Sequence, residues 1–182
     1  MATEIERKFL LASDAWRTSV QARTLLRQGY LANNARCSVR VRVASGDVGW
    51  LSVKAMTPGL ARAEYEYPVP LGEANAMLDA LCGRPFIEKW RHIVPWRGHD
   101  WEIDEFLGDN AGLVVAEVEL DRVDEVPEMP PWIGREVTQD VRFYNFSLVE
   151  LPWSVFRDAY LRGDSAPMTA AGPPPARPKE MP

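Results

Sequence analysis

Apolar and polar residues alternate with period two over most of the chain, the signature of strands with one buried face. The alternation predicts strands at 4–11, 27–32, 37–44, 49–54, 62–69, 87–96, 99–106 and 113–120. Ala44-Ser45-Gly46-Asp47 and Gly108-Asp109-Asn110-Ala111-Gly112 read as hairpin links, and Pro95, Arg97 and Gly98 mark a third tight connection. Helical spacing appears at 13–26, opened by Ser13-Asp14 as N-cap candidates and stopped near Gly29. It returns from about 72 to 82, where Ala76, Met77, Leu78, Ala80 and Leu81 form an apolar stripe before Gly83, and a short third pattern covers roughly 140–149. Eight strands joined mostly without long crossovers predict an α+β fold, an eight-stranded antiparallel β-barrel with helices packed outside it. Residues 163–182 hold six prolines and, apart from Met, no large apolar side chain. They are expected to form a disordered Pro-rich tail behind one folded domain at 1–162.

The polar faces of the strands are unusual. Glu4, Glu6 and Lys8 stand at i, i+2 and i+4, as do Arg62, Glu64 and Glu66. The same parity pairs Arg40 with Arg42, Lys89 with Arg91, Glu102 with Asp104 and Glu117 with Glu119, while Lys54 is alone on its strand. Any one of these strands would suit a solvated ion-pair surface. As a set they fit one poorly, because like charges two apart lie roughly 6–7 Å from each other. At an effective dielectric near 20 that repulsion is on the order of 2 kcal/mol per pair. The named positions comprise eight acids and seven bases, a nearly neutral face segregated by sign. The apolar face must be covered by helices from outside, which turns the charged face inward to line a polar tunnel. Such segregation suits a composite ligand: a phosphate chain on the Arg forks and Lys point charges, and Mg²⁺ or Mn²⁺ on the carboxylates.

Composition narrows the alternatives. The 182 residues carry 26 acids against 21 bases, a net charge of −5 that disfavours a non-specific nucleic-acid binder. No apolar run approaches the roughly 20 residues of a membrane span, and the N-terminus lacks a signal-peptide pattern. Cys37 and Cys82 lie far apart, and with only His92 and His99 to join them a thiolate or multi-histidine metal site is excluded. The expectation is a cytoplasmic, reduced protein. Of the 21 bases only four are Lys, and three of these, Lys8, Lys54 and Lys89, fall inside the charged motifs. No glycine-rich phosphate loop, nucleophile elbow or dinucleotide fingerprint is present, so phosphate recognition would rest on side chains alone.

Glu4-Ile5-Glu6-Arg7-Lys8 resembles the ExExK signature of the CYTH superfamily, the triphosphate tunnel metalloenzymes. Successive segments are similar in order: Gln28-Gly29-Tyr30-Leu31, Val39-Arg40-Val41-Arg42, Leu51-Ser52-Val53-Lys54, Ala63-Glu64-Tyr65-Glu66, Ile87-Glu88-Lys89-Trp90-Arg91, Trp101 to Phe106, Ala116-Glu117-Val118-Glu119-Leu120, and Gly134 to Thr138 with Asp140, Arg142 and Asn145. The resemblance covers about residues 1–155, with small bacterial stand-alone members the most similar. It implies that Lys8, Arg40, Arg42, Lys54, Lys89 and Arg91, with Arg62 as an addition, hold a triphosphate. Glu4, Glu6, Glu117 and Glu119, with Glu64, Glu66 and Asp104 as further acids, would hold divalent metal. Ala55-Met56-Thr57-Pro58-Gly59 departs from the family, which often has Gly soon after the Lys54 position.

The resemblance implies hydrolysis of inorganic triphosphate to pyrophosphate and phosphate. The alternatives are a class IV adenylate cyclase, another organic triphosphatase acting on thiamine or nucleoside triphosphates, and a non-catalytic polyphosphate or nucleotide sensor. A homodimer is an allowed assembly. Two candidates could deprotonate the attacking water. Lys89 has Arg91 beside it to lower its pKa, whereas Lys8, acting with Tyr30, has Glu4 and Glu6 on its own strand to raise it. The charge pattern therefore favours Lys89.

Overall fold

The computed structural model describes residues 2–45, 48–56 and 61–164. The expected tail from 165 onward, the Gly46-Asp47 link and the departure at Thr57-Pro58-Gly59 lie outside the described residues. Nine strands are present among the described residues: β1 (Ala2–Leu11), β2 (Ala22–Asn33), β3 (Cys37–Ala44), β4 (Val48–Ala55), β5 (Ala61–Pro70), β6 (Ile87–Trp96), β7 (His99–Phe106), β8 (Val114–Glu119) and β9 (Ile133–Glu136). They run in the order β5-β4-β3-β2-β6-β7-β8-β1-β9, and β5 also pairs with β1. That last pairing closes β1 to β8 into an antiparallel barrel, with β9 an added edge strand. Closure rests on β1 changing partner along its length, facing β5 from Ala2 to Ile5 and β8 from Glu6 to Leu10.

All eight expected strands form, and the β6–β7 turn has Arg97 and Gly98 at φ 49° and 89°, the left-handed pair that a two-residue hairpin link needs. The expected helix at 13–26 does not form. Only a 3-10 turn at Ala15–Ser19 is helical, and β2 begins at Ala22. From Ala22↔Ile93 to Gln28↔Ile87 this segment pairs with β6, and the Arg23 guanidinium lies 3.7 Å from the centre of the Trp90 ring. A helix there would leave β6 an open edge, so ladder pairing overrides local helical spacing.

Helix α1 (Leu71–Leu81) forms as expected. It packs Ala74 and Leu78 on Val41 over the outside of β2, β3 and β4. Gly29 allows this contact, because a Cβ there would lie 2.8 Å from Cys82 Cβ. The pattern at 140–149 splits into a 3-10 turn at Val141–Phe143 and helix α2 (Asn145–Glu150). Two elements escaped the sequence reading: β9, only four residues long, and helix α3 (Trp153–Leu161).

The helices do not cover the whole outer face. Outside β1, β6, β7 and β8 the cover is Trp16 from the 3-10 turn and Trp132 just before β9, which pack on Ile5, Phe9, Val94, Trp101, Ile103 and Val118. Arg7 and Glu105, which break the inward charge pattern, point outward and pair with Glu136 and Arg17. Helices α2 and α3 serve another end of the molecule. They bring Leu148, Trp153, Phe156 and Tyr160 against Ile87, Phe106 and Val115. Those three are the inward positions next to Lys89, Asp104 and Glu117 on their own strands. The charged interior of the barrel therefore ends on an apolar floor. No helix among the described residues is long and apolar enough to cross a membrane.

Candidate active site

Above this floor lies a cavity of about 430 Å³, within the size range of small-molecule sites. Its wall contains all seven expected bases, Lys8, Arg40, Arg42, Lys54, Arg62, Lys89 and Arg91. It also contains Glu4, Glu6, Glu64, Glu66, Glu117 and Glu119, and Glu102, which the sequence reading kept in a charged pair but gave no site role. Strand alternation brings these together from seven of the eight barrel strands, with β2 contributing Gln28 and Tyr30 instead, since inward positions recur every second residue.

The segregation of charge along each strand is resolved across strands. Glu4 accepts from Lys54 Nζ at 2.6 Å and from Arg62 Nε at 2.8 Å, and Arg62 also reaches Glu6 at 2.5 Å. Arg42 reaches Glu66 at 3.0 Å, with Arg40 at 3.8 Å from Glu66 and 3.9 Å from Glu64. Lys8 donates to Glu117 at 2.5 Å and Glu6 at 3.1 Å. The like-charge cost along one strand is thus offset by opposite charges on its neighbours, and seven acids face seven bases around the cavity.

Asp104 departs from the expected acid wall. It is fully buried and lies behind the cavity surface. Both of its oxygens are taken, by Arg91 Nε and Nη2 at 2.8 and 2.7 Å and by the Lys89 ammonium. Glu117 is similar in part: it lines the cavity, yet it bridges Lys8 and Arg91, the latter at 2.9 Å, and these cations hold its carboxyl well below the usual range against the cost of burial. Both acids act here as counter-ions to the basic wall.

The two lysines proposed for proton transfer sit in opposite fields. Burial pushes Lys89 down to about 8, with Asp104 pulling the other way and Arg91 adding to the depression. Burial acts on Lys8 too, but Glu117 and Glu6 outweigh it and raise its pKa above the usual lysine value. Burial also raises the Tyr30 phenol.

The far side of the acid set is different. Glu119 faces Glu6 across the β1–β8 ladder and has no ion-pair or hydrogen-bond partner among the described residues. Burial raises its pKa, and the charges of Glu4 and Glu6 raise it further. Burial likewise raises Glu64, against the pull of Lys54. Among the described residues no three carboxylates are already gathered at metal-binding distance, because Lys54 and Arg62 occupy Glu4 and Glu6. The donor set nonetheless fits a divalent cation: hard oxygens only, with an unpaired carboxylate repelled by its like-charged neighbours.

The sequence reading assigned no site role to several wall residues. Behind the wall, fully buried Ser52 donates to Glu66 at 2.7 Å and accepts from Arg40 at 3.3 Å. Tyr144, Asn145 and Phe146 reach the cavity from the start of α2, and Asn145 Oδ1 lies 3.5 Å from Lys89 Nζ. Gln28 is completely buried, lines the cavity, and has no hydrogen-bond partner among the described residues for either side-chain amide atom. Inward parity on β2 with Tyr30 was the available signal for Gln28. Asn145 is among the positions of the family resemblance, whereas nothing in the sequence pattern signals Tyr144 and Phe146, which reach the site through chain reversal after β9.

The family model of the CYTH domain matches residues 2–148. The chain belongs to the CYTH family. This CYTH protein is 48% identical over 158 residues to an inorganic triphosphatase of Acetivibrio thermocellus, across 87% of its own length and 100% of the relative. It is 35% identical over 152 residues to an inorganic triphosphatase of Nitrosomonas europaea, covering 80% and 96% of the two chains. A crystal structure of an inorganic triphosphatase superposes on this CYTH domain with a TM-score of 0.57 at 32% identity, covering 82% and 95% of the two chains.

Proposed function

We propose that the protein hydrolyses inorganic triphosphate to pyrophosphate and phosphate in a divalent-metal-dependent reaction. The observation that carries this reading is the closed barrel with seven bases and seven acids converging on one cavity, in a chain 48% identical to an inorganic triphosphatase over the whole of that relative. Arg40, Arg42, Lys54, Arg62, Lys8 and Arg91 bind the phosphate oxygens, the Arg residues through two-pronged contacts. A polyanion on these bases displaces their carboxylates, which would leave several unpaired anions around the cavity. Glu4, Glu6, Glu64 and Glu119, with Glu66 beside them, are then free to hold Mg²⁺ or Mn²⁺. Bound there, the cation supplies charge neutralisation and polarisation of phosphoryl oxygens. Anion and cation binding are therefore coupled by the charge balance of the wall.

Lys89 takes the proton of the attacking water, since its depressed pKa lets a neutral amine form near neutral pH. Lys8 and Tyr30 are poorer bases, one held protonated by carboxylates and the other a phenol with a raised pKa. Asp104 orients Lys89 and Arg91 from behind.

A substrate panel tests the function. With Mg²⁺ or Mn²⁺, tripolyphosphate should turn over far faster than ATP or thiamine triphosphate, and pyrophosphate should be left intact. Cyclic AMP formation with poor tripolyphosphate hydrolysis would favour the cyclase reading instead, and binding without any turnover would favour a sensor.

Metal removal is a second check. Chelation should abolish activity and added Mg²⁺ or Mn²⁺ restore it, while Glu119→Gln should raise the metal concentration needed for half-maximal rate. Undiminished activity after exhaustive chelation would sink the metal role. Ending the chain after residue 162 keeps α3 and its aromatic contacts with Phe143, and so should leave kcat within about twofold of the full chain.

A further inference from the structure

The hydrolytic reading gives Gln28 no task, yet its environment demands one. Both carboxamide atoms are buried without partners among the described residues, and leaving a buried amide unpaired normally destabilises a protein. A methionine of similar length would fill the same space without that cost. The residue stands on β2 opposite Arg42 of β3 and Ile87 of β6. Its neighbours at the next inward steps are Arg40 on one side and Lys89 on the other. The amide therefore lies on the cavity wall between the two halves of the basic set.

An orphan donor and an orphan acceptor at one point specify the ligand. A phosphoryl oxygen can accept from Nε2 but would repel Oε1. A water molecule can donate to Oε1, and the surrounding Arg and Lys side chains are donors that cannot take up Nε2. Water and phosphoryl oxygen together satisfy both atoms. They are also the two partners that must be aligned for in-line attack, a task a glutamine performs in GTP hydrolysis.

We infer that Gln28 is a catalytic residue of triphosphate hydrolysis, holding the attacking water through Oε1 while Nε2 donates to the phosphoryl group under attack. The inference rests on the triphosphatase reading above. In the step, the water oxygen bonds to the terminal phosphorus and the bridging P–O bond breaks. Its electron pair leaves on pyrophosphate, and the water proton passes to the neutral Lys89 amine.

The test is Gln28→Met in the full-length protein, assayed beside the wild type with tripolyphosphate and Mg²⁺ or Mn²⁺. Thermal melting of both free proteins is measured in parallel. The expected result is a kcat about a hundredfold lower, with KM changed by less than about threefold. The ascending limb of the pH profile stays in place, since Gln28 does not titrate, and the Tm is equal to or above the wild-type value. A variant with wild-type kcat would overturn the inference. So would a variant that loses activity together with stability or fails to fold, because the amide would then be a structural group. A wild type inactive on tripolyphosphate would overturn the proposed function, and this inference with it. An active wild type with an unimpaired variant would overturn this inference alone.

Discussion

Lys89→Ala should lower kcat for tripolyphosphate by about a thousandfold, the middle of the range for losing a positioned general base. Lys89 is 1% exposed, and its burial disfavours the charged ammonium. With its pKa at about 8, the wild-type kcat/KM should rise with pH through that value as the amine loses its proton. In Lys89→Ala this ascending limb should disappear. Arg42→Ala offers the contrast: a phosphate-binding fork is lost and no base, so KM should rise while the limb stays in place. If Lys89→Ala raised only KM and kept the limb, Lys89 would be a phosphate anchor and the proton acceptor would have to be sought elsewhere.

Asp104→Ala should be the most destabilising change at the site. Asp104 is wholly buried and is the shared counter-ion of Lys89 and Arg91. Removing one member of a buried charge cluster leaves the others uncompensated, at a cost of about 3–5 kcal/mol. For a domain of this size that lowers Tm by on the order of 10 °C, which thermal melting would detect. Although burial opposes it, Arg91 and Lys89 hold the Asp104 carboxyl below its ordinary value. Its stabilisation is therefore complete above the unfolded carboxyl pKa, about 3.9, and is lost as pH falls through the lower folded value. Lys89 contributes with the other sign. Its folded pKa lies below the unfolded value of about 10.4, so between about 8 and 10.4 the unfolded chain binds more protons and this contribution to stability rises with pH. Asp104→Asn keeps the shape and removes the charge that sustains the ammonium. Its kcat/KM limb should move to lower pH than in the wild type. A limb that stayed in place would show that Asp104 does not tune Lys89.

Period-two alternation determined the eight barrel strands and which residues of each share a face, and the need to cover the apolar face from outside turned the charged face inward. For the same reason Lys8, Arg40, Arg42, Lys54, Arg62, Lys89 and Arg91 could be read as one basic set before any contact was known. Three things lay outside that pattern. Residues 22–26 carry helical spacing but join β2, because hydrogen bonding to β6 is a long-range interaction that local sequence does not encode. The division of the acids was also decided only in three dimensions. Asp104 and Glu117 are spaced like Glu119, yet the register of β6 on β7 and of β8 on β1 puts cations against the first two and leaves Glu119 facing Glu6. The cavity floor, and the side chains that α2 adds above it, come from the chain's return after β9. Strand periodicity reports which face a residue takes, and only the register and closure of the barrel decide which charges meet there.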